Sequence, residues 1–498
     1  MRRPAIASQQ SSVAAACLLL LSLCGGAGAL RVRLPRMRGA AVQLAPKARV
    51  AVLGGGFAGL TAARELSKDR DIEVLLVDQR EYFEYTPGIL RAWVDPSVHK
   101  ALVNPIRRLL RSKRATFQRV PPGCSTALVE TDGERPLRFT VAREGEEAPL
   151  VDYECDFAIL ATGGEQAPIS DDRQLSDGSI AMRRRRLGEQ VAAVMENARS
   201  ALVVGGGLTG VELAAELAET LGPGVVTLAV GPTLPKRGRY PGDPGAGVLP
   251  GFRDTSSWRV FLRRGSLRRG HTGGAVRYAS EWLERHGVDV CEEWAVPPPA
   301  GATLANVTAA ARPACARTWR RAGEGRSAVD WEQCGPEADL EADVVFDCRG
   351  LRPNTRESYS RDDRLGLPAG VVGRSGWLRV DERFRLCRRE YVASADYDEM
   401  ADEMADELAD EAMPPTAAST VVYGGRAFSV GDGCEKDKME RTAANAHAEG
   451  EYVANEIRRA VNDRPPQPPY AVPPRLTAIS LGVKDGLVVL GRWVAVRG

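Results

Sequence analysis

The amino-acid sequence predicts an α/β fold with two three-layer domains, in which helices cover parallel sheets. A short apolar strand runs through G-x-G-x-x-G into a helix, and this pattern occurs twice, 151 residues apart. The two copies read Val50–Leu53 followed by Gly54, Gly56 and Gly59, and Ala201–Val204 followed by Gly205, Gly207 and Gly210. The first glycine allows the turn, the second lets a pyrophosphate approach the backbone, and the third packs helix on strand. Two copies imply two bound dinucleotides.

The composition describes a globular chain with no electrostatic case for nucleic-acid binding. Of 498 residues, 44% are hydrophobic and 27% are charged, as in an ordinary soluble domain. The first 49 residues hold eight Lys and Arg and no acid, which leaves 59 basic and 65 acidic residues in the rest. We therefore expect no nucleic-acid partner. Ten cysteines without a C-x-x-C pair and four dispersed histidines predict no metal site.

Residues 1–46 are predicted to be a targeting leader. Arg2 and Arg3 precede an apolar run, Val13–Leu23, and small residues follow at Ala27–Ala29, as in a cleavable signal. The run is too short to span a bilayer. The basic, acid-free stretch Arg31–Arg49 comes next, and the combination resembles the bipartite leaders of algal complex plastids. A plastid address is therefore favoured, and a mitochondrial or secretory route stays open.

The first glycine pattern is followed by the features expected of a dinucleotide site. A predicted helix at Leu60–Leu66 and a strand at Ile72–Val77 lead to Asp78, nineteen residues after Gly59. An acid at this place hydrogen-bonds an adenosine ribose hydroxyl, whereas an isolated Asp would more simply be a solvated turn residue. Further contacts with the first cofactor are predicted at the helix start, after Asp78 and in a later small-residue turn: Phe57, Ala58, Arg80, Ala161, Thr162 and Gly163.

The second glycine pattern lacks the acid. A helix is predicted at Val211–Leu217 and a strand at Val225–Val230, which ends in Gly231. Nothing there would bind the 2′-hydroxyl of NADH. Basic residues just beyond the strand would meet a 2′-phosphate or are simply loop charges, namely Lys236, Arg237 and Arg239. NADPH use is therefore allowed.

Three stretches resemble insertions: residues 231–274, 297–337 and 389–416. The last contains an acidic near-repeat, Asp398–Glu411, for which we expect an exposed, partly helical or disordered loop. Between and after them the pattern predicts the helices Tyr278–His286 and Thr442–Ala460. It also predicts a strand over Val344–Thr355 that turns at Gly350, and the strands Val288–Val290, Gly376–Asp381 and Ala427–Asp432.

The order of these landmarks over about residues 48–490 resembles the two-dinucleotide-binding flavoproteins of the pyridine-nucleotide–disulfide oxidoreductase superfamily. The resemblance implies two Rossmann-like domains, FAD on the first glycine turn and NAD(P)H on the second, with the NAD(P) domain inserted in the FAD domain. The implied order is the FAD domain at 47–165 and 344–464, the NAD(P) domain at 166–343, and a short C-terminal region at 465–498. It also implies cofactor contacts from Gly350, Gly431 and Asp432, the last bonding the ribityl chain.

Within this superfamily the chain is most similar to type II NADH dehydrogenases and the ferroptosis-suppressor branch of the apoptosis-inducing-factor family. The similar segments are Asp78–Phe83, Tyr85–Leu90, Gly210–Glu212 and Ile479–Gly486. Residues 81–120 hold no cysteine, so a disulfide reductase is excluded. Ala443–Ala448 lacks the two glutamines that bacterial type II enzymes have here, which favours the ferroptosis-suppressor branch.

The resemblance implies hydride transfer from NAD(P)H to FAD and then electron transfer to a quinone or another small acceptor. It places Glu212 near the nicotinamide and Lys438 near the flavin, where a positive charge would stabilise the reduced form. A helix acid and a surface lysine are the simpler interpretations of these two residues. Peripheral membrane association and a homodimer are left open.

Two other functions remain as hypotheses. A sulfide:quinone oxidoreductase needs reactive cysteines, and Cys155, Cys348 and Cys434 lie near cofactor landmarks. Inert packing is the simpler explanation, because structural cysteines are usually buried. An NAD(P)H-sensing flavoprotein resembling apoptosis-inducing factor would act through a redox-controlled surface instead of rapid turnover.

Overall fold

The structure, a computed structural model, describes most of the chain after the predicted leader. The described residues are 46–143, 148–166, 178–230, 272–291, 314–316, 319–321, 331–333, 340–348, 351–355, 365–373, 376–389, 419–435, 441–473, 476–490 and 493–497. The leader up to residue 45, nearly all of the first and third predicted insertions, and the predicted site residues Gly350 and Lys438 lie outside them.

The elements are numbered here in chain order. Residues 46–166 contain β1 (Ala48–Leu53), α1 (Phe57–Leu66), β2 (Ile72–Asp78), β3 (Tyr82–Glu84), α2 (Ile89–Ala92), α3 (His99–Leu102), β4 (Val103–Pro105), α4 (Ile106–Leu109), β5 (Ala115–Arg119), β6 (Cys124–Glu130), β7 (Leu137–Arg143), β8 (Val151–Cys155), β9 (Phe157–Leu160) and β10 (Gly164–Gln166). Residues 178–348 contain α5 (Ile180–Asn197), β11 (Ala201–Val204), α6 (Leu208–Leu221), β12 (Val226–Ala229), α7 (Thr272–Arg285), β13 (Asp289–Cys291), β14 (Ala314–Ala316), β15 (Trp319–Arg321), β16 (Trp331–Gln333), β17 (Leu340–Ala342) and β18 (Val344–Asp347). Residues 351–497 contain β19 (Leu351–Pro353), β20 (Cys387–Arg389), β21 (Ser419–Val421), β22 (Ala427–Ser429), α8 (Ala443–Val461), β23 (Leu476–Leu481), β24 (Asp485–Leu490) and β25 (Trp493–Arg497).

The first glycine pattern belongs to a five-stranded parallel sheet with the order β22-β9-β1-β2-β5. The side chains along each strand enter two different cores in turn, because successive side chains point to opposite faces of the sheet. Val50 and Val74 pack with α1 and α8 on one face, whereas Ala51 and Leu75 pack with β6, β7 and β8 on the other. The result is a three-layer arrangement of helices, parallel sheet and antiparallel sheet.

The second glycine pattern belongs to a four-stranded parallel sheet with the order β13-β12-β11-β18. Its core contains Val203 and Leu228 from the strands, Leu217 from α6 and Trp282 from α7. The antiparallel sheet β23-β24-β25 packs on these helices through residues such as Leu481. The C-terminal strand region is therefore part of the core around the second glycine turn.

The short antiparallel pair β10–β19 lies where the chain passes between the two sheets. β10 follows the small-residue turn after β9, and β19 follows β18 of the other sheet. Their pairing aligns Gly164 with Pro353, and the side-chain amide of Asn354 donates to the carbonyl of Thr162 at 3.0 Å. The outgoing and returning strands are thus tied together beside the first glycine turn.

The α/β fold prediction is confirmed, and several predicted boundaries differ. Helix α1 begins at Phe57, immediately after the glycine turn, and α7 begins at Thr272. The strand predicted at Gly376–Asp381 is wrong, because Leu378 and Val380 form only isolated bridges to separate segments of the chain. Because the backbone hydrogen bonds of this segment go to several different neighbours, Gly376–Asp381 forms no continuous ladder with any one of them. No helix in the part of the chain that the structure describes is long and apolar enough to cross a membrane.

Candidate cofactor-binding site

The first glycine turn has backbone geometry that only glycine satisfies. Gly54 has φ +101°, and a Cβ on it would overlap the carbonyl of Ala161. A Cβ on Gly59 would overlap the carbonyl of Gly54. A side chain at either position would therefore force the helix away from the strand, as the predicted roles of the glycines require.

The start of α1 is open to an anionic group. Gly56 caps the helix without a side-chain hydrogen bond, and no described heavy atom lies within 4 Å of the position that its Cβ would occupy. The first N–H groups of a helix lack intrahelical partners and favour negative charge. This open, glycine-lined helix start fits the pyrophosphate of a dinucleotide.

Asp78 lies beside this turn, as the sequence predicts. Its Oδ2 accepts the N–H of Gly55 at 2.5 Å, and its Oδ1 accepts the N–H of Arg80 at 2.6 Å. Each carboxylate oxygen keeps a further lone pair, so the group is able to accept a ribose hydroxyl as well. Arg80 is exposed and contributes this backbone bond.

The small-residue turn after β9 faces the same region. The buried hydroxyl of Thr162 has no hydrogen-bond partner among the described residues. Gly163 has φ +69° and no described atom near its Cβ position. Because a buried hydroxyl costs free energy when it is left unpaired, this group fits a polar contact with a bound cofactor.

Phe57 and Ala58, predicted as cofactor contacts, make protein contacts at the start of α1. The Phe57 ring lies edge-on to Phe83, with centroids 4.9 Å apart. Ala58 is 4% exposed, and a Cβ on Gly450 of α8 would overlap its carbonyl. Ala58 thus holds α1 against α8.

The turn after β22 is held by two residues that sequence reasoning missed. Gly431 has φ +79°, and its N–H donates at 2.7 Å to the carboxylate of Glu449, a fully buried residue of α8. Arg441 donates to the carbonyl of Asp432 at 3.4 Å and lies over the ring of Trp377 at 3.7 Å. The signal in the sequence was an acid on the apolar face of the last long helix.

The second glycine turn repeats the geometry of the first. Gly205 has φ +117°, and a Cβ on Gly210 would overlap its carbonyl. Gly207 caps α6 without a side-chain hydrogen bond. The first N–H groups of this 14-residue helix have no acceptor within the helix and favour negative charge. This turn too fits a pyrophosphate.

Glu212, predicted to lie near the nicotinamide, contacts the C-terminal sheet in this structure. Its Oε1 accepts the N–H of Ser480 at 2.9 Å. Burial raises the pKa of Glu212 to about 7. Burial thus favours the protonated carboxyl, whereas the hydrogen bond from Ser480 favours the ionised form.

Two more carboxylates on α6 make long-range contacts that the sequence did not reveal. Glu216 forms an ion pair with Arg91 at 2.8 Å, and Glu219 accepts the N–H of Val483 at 2.8 Å. Burial raises the pKa of Glu216, although the bond to Arg91 opposes the shift. Together with Glu212, these residues bind α6 to the segment after the first turn and to the C-terminal sheet.

A further buried cluster ties the segment after β2 to α5. Glu84 accepts from His99 Nε2 at 2.9 Å and from Arg183 Nε at 3.0 Å. Burial alone would raise the pKa of Glu84, but Arg183 and His99 outweigh it and lower the pKa. The cluster fixes β3, which carries Phe83 beside the first glycine turn.

The cysteines near the cofactor landmarks are buried. Burial raises the pKa of the Cys155 thiol to about 12, so its nucleophilic thiolate is scarce at neutral pH. The Cys434 Sγ donates to the carbonyl of Gly431 at 3.2 Å, and Cys348 is 7% exposed. Their positions fit packing better than covalent chemistry.

Comparison with known proteins agrees with this geometry. Residues 48–239 match the family described as pyridine nucleotide-disulphide oxidoreductase. The match includes both glycine turns, and it confirms the predicted superfamily and the predicted cofactor pair, FAD and NAD(P)H.

Curated relatives match about a third of the chain. Ferroptosis suppressor protein 1 of Taeniopygia guttata is 32% identical over 180 residues, which is 36% of this chain and 43% of the relative. Demethylphylloquinone reductase NdbB of Synechocystis is 28% identical over 187 residues, 35% of this chain and 44% of the relative. The chain therefore spans less than half the length of these relatives.

A solved structure shows the same fold over nearly the whole chain. NDH2 from Plasmodium falciparum in complex with NADH superposes with a TM-score of 0.55 at 13% identity, covering 91% of this chain and 92% of that one. At this identity the likeness establishes the shared fold and confirms the fold class predicted from the sequence.

Proposed function

We propose that the protein is an FAD-dependent NAD(P)H dehydrogenase that passes electrons to a quinone. The observation that carries the proposal is the pair of equivalent glycine turns, each at the carboxyl end of its own parallel sheet and each opening onto an uncapped helix start. When bound, FAD takes a hydride from NAD(P)H and releases two electrons to an acceptor. Quinone as the acceptor is supported by a relative named demethylphylloquinone reductase.

In this proposal the chain's own residues bind the two dinucleotides and orient them. Asp78 and the start of α1 would hold the adenosine and pyrophosphate of FAD, and Thr162 would donate or accept a hydrogen bond at the same cofactor. Gly205 and Gly210 would set the second turn for NAD(P)H. Glu212 and Lys438 stay predictions as charged groups near the reacting rings.

Anaerobic bleaching of the purified holoprotein tests the proposal. NADH or NADPH should remove the flavin absorbance near 450 nm, on the order of one equivalent per flavin, and ubiquinone or plastoquinone analogues should restore it rapidly. If neither NADH nor NADPH bleaches the flavin, the proposal is overturned. Slow reoxidation by every quinone would support the sensing function resembling apoptosis-inducing factor instead.

Three glycine substitutions separate the two turns. Gly59→Ala should reduce bound flavin, whereas Gly210→Ala should retain flavin and lose its reduction by NAD(P)H, because each new Cβ overlaps a carbonyl of its own turn. Gly188→Ala is the matched control, since Gly188 lies within α5 and no described atom is within 4 Å of its Cβ position. Flavin content and bleaching amplitude are measured for each variant.

The sulfide:quinone hypothesis is tested by Cys155→Ser. Quinone reduction by NAD(P)H should be unchanged, because the buried thiol has a pKa of about 12 and is not a ready nucleophile. Sulfide-dependent bleaching that disappears in this variant would support the alternative.

Localisation and assembly are proposals from the sequence. We propose that residues 1–46 direct the chain to a plastid, which a fluorescent fusion of this segment in an alga with complex plastids would test. Peripheral membrane association and homodimerisation stay predictions, to be tested with the holoprotein by vesicle flotation and light scattering.

A further inference from the structure

The two glycine turns can be aligned residue by residue. In the first, the N–H of Gly54 donates to the carbonyl of Val77 at 2.8 Å, and in the second the N–H of Gly205 donates to the carbonyl of Ala229 at 2.8 Å. The strand pairings agree, since each of these carbonyl residues pairs with the last residue of the strand before its turn. Val77 and Ala229 therefore occupy equivalent positions.

The next residue differs in charge between the turns. After Val77 comes Asp78, whose carboxylate accepts the N–H of Gly55 at 2.5 Å. After Ala229 comes Val230, an apolar side chain that is 5% exposed. The first turn thus has a negative charge at the end of its second strand, and the second turn has a neutral, buried side chain there.

This difference acts on the ribose of a bound dinucleotide. A carboxylate at this position accepts a hydrogen bond from the 2′-hydroxyl of NADH and repels the 2′-phosphate of NADPH. Val230 does neither. The side chain that usually discriminates against the phosphorylated nucleotide is therefore missing from the second turn.

We propose that the second turn accepts NADPH as a hydride donor at least as well as NADH, with Val230 as the residue that permits it. The inference rests on the proposed function and adds the class of nucleotide. Beyond the described residues, the sequence places Lys236, Arg237 and Arg239 after β12 and Glu292 and Glu293 after β13.

Equilibrium binding tests the inference without turnover. Titration calorimetry of the flavin-loaded protein compares 2′,5′-ADP with 5′-AMP, which differ in the 2′-phosphate. Val230→Asp should weaken 2′,5′-ADP binding at least tenfold while 5′-AMP binding changes less than threefold. Val230→Asn is the matched control, because it has the same shape and polarity without the charge. Unchanged flavin absorbance in both variants would show that the first turn is intact.

Kinetics provide the second readout. The wild-type kcat/KM for NADPH should equal or exceed that for NADH, and Val230→Asp should shift this ratio towards NADH at least tenfold. A wild-type preference for NADH of tenfold or more would overturn the inference, as would equal effects of Asp and Asn at position 230. Bleaching by NADH alone would refute the inference and leave the dehydrogenase function standing. Tight 2′,5′-ADP binding without bleaching by either nucleotide would support the inference about the second turn and refute the dehydrogenase function.

Discussion

The ion pair between Arg91 and Glu216 offers a quantitative test of how the two nucleotide-binding halves are joined. Arg91 lies on α2, in the segment that follows the first turn, and Glu216 lies on α6, which starts at the second turn. Their side chains are 30% and 4% exposed and 2.8 Å apart. Arg91→Met keeps the aliphatic stem and removes the charge, leaving the carboxylate buried without its cation.

The expected loss in the free energy of unfolding lies between the values for an exposed and for a buried ion pair. Exposed ion pairs contribute about 0.2–1 kcal/mol, whereas breaking a buried pair costs about 3–5 kcal/mol. Because Glu216 is buried and Arg91 is partly exposed, water screens part of the interaction. We therefore expect Arg91→Met to lower the free energy of unfolding by about 2 kcal/mol near pH 8.

The loss should depend on pH. Burial already raises the pKa of Glu216, and Arg91 opposes the shift, so the substitution raises that pKa further. A carboxyl with a raised pKa stabilises the folded protein when protonated, and this contribution is lost as pH rises through the folded-state pKa. At pH 5.5 a larger share of Glu216 is protonated in the variant than at pH 8, so the loss should be smaller there.

Urea unfolding of the holoprotein, followed by tryptophan fluorescence and flavin release, measures the difference at both pH values. Glu216→Gln is the control for the charge of the acid, and the double variant isolates the coupling between the two residues. Equal destabilisation by Arg91→Met at the two pH values would refute the electrostatic explanation and indicate lost packing of the arginine stem instead.

Three further substitutions have defined outcomes. Glu449→Gln should weaken flavin binding about tenfold, or about 1.4 kcal/mol, because a charge-assisted bond to the Gly431 N–H becomes a neutral one; flavin dissociation measures it. Gly450→Ala should destabilise the holoprotein by more than about 2 kcal/mol, since its Cβ would overlap the Ala58 carbonyl; thermal unfolding measures it, and an unchanged midpoint would contradict it. Glu212→Gln should make the free energy of unfolding less dependent on pH. Because the pKa of Glu212 is raised to about 7, wild type loses stability as pH rises through 7, and the variant should lose about 2 kcal/mol less than wild type between pH 5 and pH 8. Equal urea midpoints of wild type and variant at both pH values would count against this prediction.

The sequence predicted the local features of the site and missed the long-range ones. The glycine turns and Asp78 follow from spacing within a short segment, where strand, turn and helix leave little freedom. The bond between Glu84 and Arg183 spans 99 residues, and the bond between Arg91 and Glu216 spans 125. Such pairs depend on how separate elements pack, which no spacing rule encodes.

The wrong strand prediction has the same cause. The alternation in Gly376–Asp381 resembles a strand, but the backbone of Leu378 donates to Gly433 while that of Arg379 donates to Val371. Leu378 and Arg379 are neighbours in sequence and are both buried, and their hydrogen-bond partners are set by the surrounding chain. In this segment the alternation of apolar and polar residues therefore predicts neither the buried faces nor the strand pairing.

The repeated turn separates two kinds of information in this chain. Backbone geometry, set by Gly54 and Gly205 with their overlapping partners, is the same in both copies and creates a place for a pyrophosphate. The single side chain after the neighbouring strand differs, Asp78 in one copy and Val230 in the other. Since a charge at that place changes which ribose is accepted, we expect the glycine turns to provide for dinucleotide binding and the strand-end residue to bear on whether a 2′-phosphate is tolerated.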